Sequence, residues 1–172
     1  GARVVLGGID NCCAFLGASD PGEQRLVNIA GTYEHLAGVG DLPVTRSAAL
    51  AVGGLTHRFL LDDRCLSYSR VPLGHLLAEL EADVPGGLGR LMDGVAEVPT
   101  GHGIGLDGKA VRAAIAAGAA PADVLQGLLE NAAGVLARYA EAWTAAGGGV
   151  DRIVAVGVGL GVAVVAAPIN LA

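Results

Sequence analysis

A long helical pattern at residues 121 to 146 limits this chain to folds that contain a packed, amphipathic helix. Pro121 suits the first turn of that helix, and the Gly147-Gly-Gly run ends it. Its apolar residues recur every three or four positions, which is the spacing of one helix face. These residues are Val124, Leu125, Leu128, Leu129, Ala132, Val135, Leu136 and Tyr139. Such a face is stable in water only when another layer covers it.

Short apolar runs supply strands for that layer. Arg25 to Ala30 and Arg152 to Val156 have the length and composition of buried strands, and Val4 to Gly8 is predicted as a strand before them. Tyr33 to Leu36 could continue as a strand, while residues 46 to 57 give no clear pattern. Further helices are predicted at Asp10 to Gly17, Leu73 to Ala82 and Lys109 to Ala117, and residues 86 to 99 are predicted to hold a short helix or a turn. The order of strands and helices predicts an α/β fold.

Composition excludes several kinds of partner. The chain has 172 residues, a net charge of −6 and one lysine, Lys109, so it has no basic face for nucleic acid. It has three cysteines and no CxxC motif, which favours buried thiols in a reducing, cytoplasmic compartment. The four histidines, His35, His57, His75 and His102, share no metal-ligand spacing, so we predict no protein-bound metal.

One uncharged stretch, Ile153 to Ala172, is long enough to cross a bilayer. Gly157, Gly159, Gly161 and Pro168 interrupt it, however, and its Val/Gly/Ala composition is typical of a buried strand followed by a glycine turn. We therefore expect no membrane association, and a membrane anchor at this stretch is the minor alternative.

Two segments carry residues suited to binding or catalysis. Asp10 follows a predicted strand and begins a helix, where a carboxylate could accept a proton from a substrate hydroxyl; the competing interpretation is an N-cap. Gly31-Thr32 follows another predicted strand, where backbone N–H groups and a hydroxyl could bind phosphate oxygens; the alternative is a β-bulge or turn.

Two glycine-rich strand ends are weaker candidates. Thr100 to Gly105 and Ala155 to Gly159 each contain closely spaced glycines. Neither is a P-loop, because no Gly-Lys-Ser/Thr follows, and neither has the GxGxxG spacing of a dinucleotide site. Ordinary turns in a glycine-rich protein explain them equally well.

Taken in order, these segments resemble the FGGY carbohydrate kinases. The resemblance rests on Gly7-Gly-Ile-Asp10-Asn11, the apolar helix after it, the Pro21-Gly22 turn and the strand that leads to Gly31-Thr32. The helix that contains Glu130 is similar to the family's Glu-Gly-x-Ala helix, and Val150 to Gly157 is similar to the strand and glycine turn that follow it. The match is closest at residues 4 to 40 and 121 to 159.

The resemblance implies an actin-like, ribonuclease H-like ATPase domain that is incomplete. Residues 1 to 22 would be the tail of the N-terminal kinase domain, and residues 23 to 172 the C-terminal domain. The implied activity is ATP- and Mg²⁺-dependent phosphorylation of a ketose or sugar alcohol. Asp10 would be the general base, Asn11 would contact the sugar, Gly31 and Thr32 the ATP phosphates, and Gly157 and Gly159 would lie near adenosine.

The sequence also departs from the family pattern. The N-terminal Asp-Gly-Thr phosphate motif is absent, so we expect a missing N-terminal kinase domain and an inactive isolated chain. Val158 replaces the second glycine of the expected pair, and residues after Gly161 lack the expected polar helix. A non-catalytic binding or regulatory remnant with the actin-like fold is therefore the alternative function, and exposed apolar surface on a partial domain favours self-association into a homo-oligomer.

Overall fold

The protein is described from a computed structural model that covers residues 10–18, 25–40, 54–58, 65–82, 84, 87–92, 101 and 103–157. The predicted strand at residues 4 to 8, the predicted domain boundary at residues 22 and 23, and Gly159 lie outside these ranges. The elements in chain order are α1 (Asp10–Ala18), β1 (Arg25–Ala30), β2 (Glu34–Gly40), β3 (Gly54–Arg58), β4 (Cys65–Ser69), α2 (Leu73–Ala82), α3 (Gly87–Met92), α4 (Gly108–Ala116), α5 (Pro121–Ala145) and β5 (Arg152–Gly157).

The strands form one mixed sheet in the order β3-β4-β2-β1-β5. β1 and β2 form a hairpin, and β4 and β3 extend it by antiparallel pairing. β5 pairs with the other side of β1 in parallel, so β1 lies between an antiparallel and a parallel neighbour. The predicted α/β fold is therefore confirmed.

The larger core lies between one face of the sheet and helices α2 to α5. Leu26 of β1 and Leu36 of β2 point into it and are almost fully buried. The predicted apolar faces of both amphipathic helices are confirmed: all four leucines of α2 are buried, and so are most of the predicted positions of α5. Pro121 starts α5 as predicted, and Gly147 ends it with a φ of 88°, a conformation that favours glycine.

Trp143 joins α5 to the sheet and to the segment that follows the helix. Its side chain is 4% exposed and belongs to the larger core. A Cβ atom at Gly38 of β2 would lie 2.8 Å from the indole, and a Cβ at Gly148 would overlap the indole nitrogen. Two glycines therefore make room for this one large ring.

A second, smaller core covers the opposite face of the sheet. Phe15 of α1 packs there with side chains of β1, β2 and β4, namely Val27, Ile29, Ala37, Leu66 and Tyr68. The prediction that the cysteines of this helix are buried is wrong for Cys13, whose side chain is exposed. The helix is nine residues long and buries Phe15 instead, so Cys13 lies on its solvent side.

The segment that raised the membrane alternative begins as a strand. Ile153 to Val156 belong to β5, as predicted from their composition, and residues 158 to 172 lie outside the described residues. Among the helices that the structure describes, none has the length and apolar character that crossing a bilayer requires.

Candidate functional site

The candidate site is the edge of the sheet where β1 and β5 both end. Residues 31 to 33 form the turn between β1 and β2, and Gly31 and Thr32 are exposed. Ala30, immediately before this turn, is paired with Glu34 on one side and with Gly157 on the other. Because β1 and β5 are parallel, their carboxyl ends meet at this edge, which is where α/β sheets commonly bind ligands.

Close backbone approach at this edge requires glycine. A Cβ atom at Gly157 would overlap the carbonyl oxygen of Ala30 and would lie 3.0 Å from the Ala30 Cβ. A Cβ at Gly31, in contrast, would meet only the Tyr33 carbonyl oxygen, at 3.8 Å. The turn therefore has open space where a Gly31 side chain would lie, while the Gly31 N–H itself donates to the Tyr33 carbonyl oxygen at 3.1 Å.

Helix α2 begins against the inner side of the same turn. The backbone N–H of His75 donates a hydrogen bond to the Thr32 carbonyl oxygen at 2.9 Å. A Cβ at Gly74 would overlap the carbonyl oxygen of Gly31 and would lie 3.1 Å from the Thr32 Cα. The turn is thus supported by the amino-terminal end of α2, where the helix dipole places partial positive charge.

A buried polar pair lies below the turn, on the face of the sheet that carries the larger core. The Asn28 Nδ2 group donates a 2.7 Å hydrogen bond to Oε1 of Glu34, and the two residues are 2% and 5% exposed. Asn28 Oδ1 is buried without a hydrogen-bond partner. Desolvation raises the pKa of the Glu34 carboxyl above its usual 4.5, and the hydrogen bond from Asn28 acts in the opposite direction.

This pair predicts an unusual pH dependence of stability. At pH values between 4.5 and the raised folded-state pKa, the folded protein binds more protons at Glu34 than the unfolded chain does. The free energy of unfolding therefore falls as pH rises through that interval. Glu34→Gln keeps an acceptor for Asn28 without a charge, so we expect a variant that is more stable than the wild type at pH 8 and loses this advantage below pH 4.5.

Urea titrations followed by circular dichroism between pH 4 and pH 8 measure this effect. Glu81→Gln is the matched control, because Glu81 is exposed on the neighbouring helix α2 and its replacement should change stability little. Parallel stability profiles for Glu34→Gln and the wild type would contradict the expectation.

A row of aromatic and cationic side chains occupies the opposite face of the sheet beside the turn. The Arg70 guanidinium carbon lies 4.0 Å from the centroid of the Tyr33 ring. Tyr33 stacks on His35 with 6.1 Å between centroids, and His35 meets Tyr68 edge-on at 5.2 Å. His35 Nδ1 donates to the Ser69 carbonyl oxygen at 2.7 Å, because a carbonyl can only accept. The outer member of the row, Arg70, is exposed.

The glycine-rich loop before α4 has a structural explanation. The Gly101 N–H donates to Oε2 of Glu130 at 3.0 Å, and the Asn131 side chain donates to the Ile104 carbonyl oxygen. Asp107 caps α4 by accepting from the Ala110 N–H at 2.8 Å. The first two contacts attach the loop to α5 and the third begins α4, so these polar residues have structural partners without a ligand.

The structure brings together three of the six predicted site residues. Gly31, Thr32 and Gly157 share the edge described above. Asp10 and Asn11 form the first turn of α1, which packs against β1 and β5. Asp10 is the first helical residue of α1, so a position at or next to the N-cap, the competing interpretation, remains compatible with the helix bounds. Gly159 lies outside the described residues.

Other residues at the edge have no counterpart among the predicted ones. Glu34 is the buried acidic residue of this edge, and Arg70 is its exposed cation. Gly74 lies so close to the turn that a Cβ atom there would overlap the Gly31 carbonyl oxygen. Sequence spacing could not indicate that Glu34 and Arg70 share this edge. Their segments are distant in the chain and are joined by the β-bridge between Glu34 and Val71. Among the described residues, no group of three or more His, Cys, Asp or Glu side chains is arranged to hold a metal ion.

Comparisons of the chain with protein-family models, with curated proteins and with solved structures found no match. The geometry of the edge and the chemistry of its residues are therefore the basis for a functional proposal.

Proposed function

We propose that this chain binds ATP at the edge formed by Gly31, Thr32 and Gly157, as part of an ATP-dependent sugar kinase with an actin-like fold. The observation that carries the proposal is the pairing of Ala30 with Gly157. It joins two segments, each of which the resemblance to FGGY kinases assigns separately to the nucleotide. The mixed sheet with helices on both faces is compatible with that fold class.

The proposed roles follow from the chemistry of each residue. The exposed Thr32 hydroxyl would donate to a phosphate oxygen, and Gly31, which has no side chain, would let the phosphate approach the turn closely. Gly157 would let the adenosine approach the end of β5. In the transfer step, the Asp10 carboxylate would accept the proton of the sugar hydroxyl. The hydroxyl oxygen then bonds to the γ-phosphorus of ATP, the bond from that phosphorus to the bridging oxygen breaks, and ADP leaves. The acceptor would be a ketose or sugar alcohol held in part by Asn11.

The described residues fit a nucleotide better than a bound metal. The open outer side of Gly31 and the exposed Thr32 leave room for a phosphate group. The buried carboxylate at this edge, Glu34, already accepts a hydrogen bond from Asn28. Mg²⁺ usually keeps several waters and binds through substrate phosphates, so it would be held mainly by the nucleotide and would neutralise phosphate charge there.

Titration calorimetry of the chain with Mg-ATP and Mg-ADP tests the proposal. Thr32→Ala removes one hydroxyl that would donate to a charged phosphate, so we expect binding about 10-fold weaker. Thr32→Ser keeps the hydroxyl and should bind within about 2-fold of the wild type.

Thr144→Ala is a control for the loss of a threonine hydroxyl away from the turn. Thr144 is exposed near the end of α5, and its hydroxyl donates only to the Ala140 carbonyl oxygen of the same helix. Equal affinities for the Thr32→Ala and Thr144→Ala variants would place the nucleotide away from the turn. Binding that depends on Thr32 without any sugar phosphorylation, even with a supplied N-terminal kinase domain, would favour a non-catalytic binding or regulatory role.

A further inference from the structure

Arg70 is an exposed arginine held beside the Gly31–Thr32 turn. We propose that its guanidinium binds a phosphate group of the ligand at this turn. The inference deepens the proposed function and rests on it, because it takes the turn as the place where phosphate lies. Arg70 would add a cation to a site whose other hydrogen-bond donors are neutral.

The sheet itself holds Arg70 at this place. Val71, the next residue, exchanges two backbone hydrogen bonds with Glu34, at 2.7 and 2.9 Å. Glu34 follows the turn directly, and in this antiparallel register Arg70 lies opposite His35, with Tyr33 as the next side chain on the same face of the strand. The Arg70 guanidinium then rests over the Tyr33 ring at 4.0 Å from its centroid. A guanidinium stacked on a ring keeps its N–H groups available at its edges for a planar, bidentate contact.

The charge of Arg70 is not neutralised by a carboxylate in the part of the chain that the structure describes. The nearest acidic residue along the paired strand, Glu34, lies on the opposite face of the sheet, where Asn28 binds it. Glu79 of helix α2 binds His75 and Arg112. Arg70 therefore retains donors and positive charge for a ligand.

A second source of positive potential acts on the same turn. Helix α2 has ten residues, and its amino-terminal end donates the His75 N–H to the Thr32 carbonyl oxygen. The positive end of the helix dipole is thus directed at the turn from one side, while Arg70 approaches from the tyrosine side. Two features from separate elements favour the same chemistry, an anion with several oxygens, and the guanidinium geometry favours phosphate.

The stack on Tyr33 also explains why an exposed side chain could contribute to affinity. A mobile arginine loses rotamer freedom when it binds, whereas a stacked one has already lost part of it. We therefore expect Tyr33→Leu to weaken phosphate binding, by less than the loss of the arginine itself, and Tyr33→Phe to bind like the wild type because it keeps the ring.

Calorimetric titration of the full chain with sodium tripolyphosphate and with Mg-ATP tests this inference. Arg70→Gln should weaken tripolyphosphate binding by about 10- to 100-fold, which is the range for a lost hydrogen bond to a charged group. Arg138→Gln is the matched control, since Arg138 is an exposed arginine of α5 that forms no ion pair within the described part of the chain, and this variant should bind within about 2-fold of the wild type. Circular dichroism verifies that each variant is folded.

The possible results separate the inference from the proposed function. Equal tripolyphosphate affinities for Arg70→Gln and Arg138→Gln would overturn the inference, and Thr32-dependent binding of Mg-ATP would survive that result. Absence of tripolyphosphate binding by the folded wild type would also overturn it. If tripolyphosphate binding depends on Arg70 but Mg-ATP binds no more tightly than tripolyphosphate, the result would support the inference. It would also count against an adenine nucleotide as the ligand.

Discussion

Replacement of Trp143 with alanine should lower the free energy of unfolding by about 3–5 kcal/mol. The indole is 4% exposed and fills the space between α5, β2 and the segment after the helix. Alanine would leave a cavity that the neighbouring chain cannot easily fill, because Gly38 and Gly148 on either side have no side chains to move into it. The loss also includes the weak 3.4 Å hydrogen bond from the indole nitrogen to the Gly149 carbonyl oxygen.

Urea unfolding followed by circular dichroism measures this change, since the only tryptophan of the chain is lost in the variant. Glu141→Ala is the matched control, because it truncates an exposed residue of the same helix and should change stability by less than about 0.5 kcal/mol. If Trp143→Ala unfolds at the same urea concentration as Glu141→Ala, the ring does not hold α5 against the sheet.

Gly74→Ala should cost about 3 kcal/mol, although glycine to alanine within a helix is normally favourable by about 1 kcal/mol. The new Cβ would overlap the carbonyl oxygen of Gly31, which is backbone and cannot turn away as a side chain would. Either α2 moves away from the turn or the turn moves away from α2. In both cases the hydrogen bond from His75 to Thr32 is disturbed, and we expect phosphate binding to be lost as well.

Gly89→Ala is the control for this change, because a Cβ at Gly89 of α3 would meet no atom within 4 Å. It should leave phosphate binding unchanged and leave stability equal or slightly higher. Thermal unfolding and tripolyphosphate titration of both variants provide the comparison. A Gly74→Ala protein as stable as Gly89→Ala would show that the approach of α2 to the turn is looser than the structure has it.

The helices could be predicted well because their patterns are local. The bounds of α2 agree with the prediction at both ends, and those of α5 differ by one residue at its end. A four-leucine face, a proline in the first turn and a terminating glycine each act within a few residues. Tertiary contacts then decide little about where such helices begin and end.

The strands β3 and β4 were not predicted, because they lack long apolar runs. In β4, Leu66 and Tyr68 face the smaller core while Ser67 and Ser69 point to the other face, and all four are buried. This alternation is a period-two signal, but it spans only five residues. Ser69 is accommodated by a hydrogen bond that its Oγ accepts from the Leu36 N–H at 2.8 Å, a partner that only the folded sheet supplies.

The candidate site could be predicted only in part for the same reason. Gly31, Thr32 and Gly157 belong to strand ends that a sequence pattern can indicate, and the parallel pairing of β1 with β5 brings them together. Glu34, Gly74 and Arg70 matter because of what lies against them across the fold. Their roles depend on contacts between distant segments, and no local composition or spacing indicates such contacts.

The pairing of β1 with β5 also has a consequence for how the protein folds. β1 is the first strand that the structure describes and β5 is the last, so their ladder can close only after the chain between them has been brought together. Contacts between distant segments are slow to form because the loop entropy must be overcome first. We therefore expect the phosphate edge to be completed late in folding. A phosphate ligand should then slow unfolding much more than it speeds refolding.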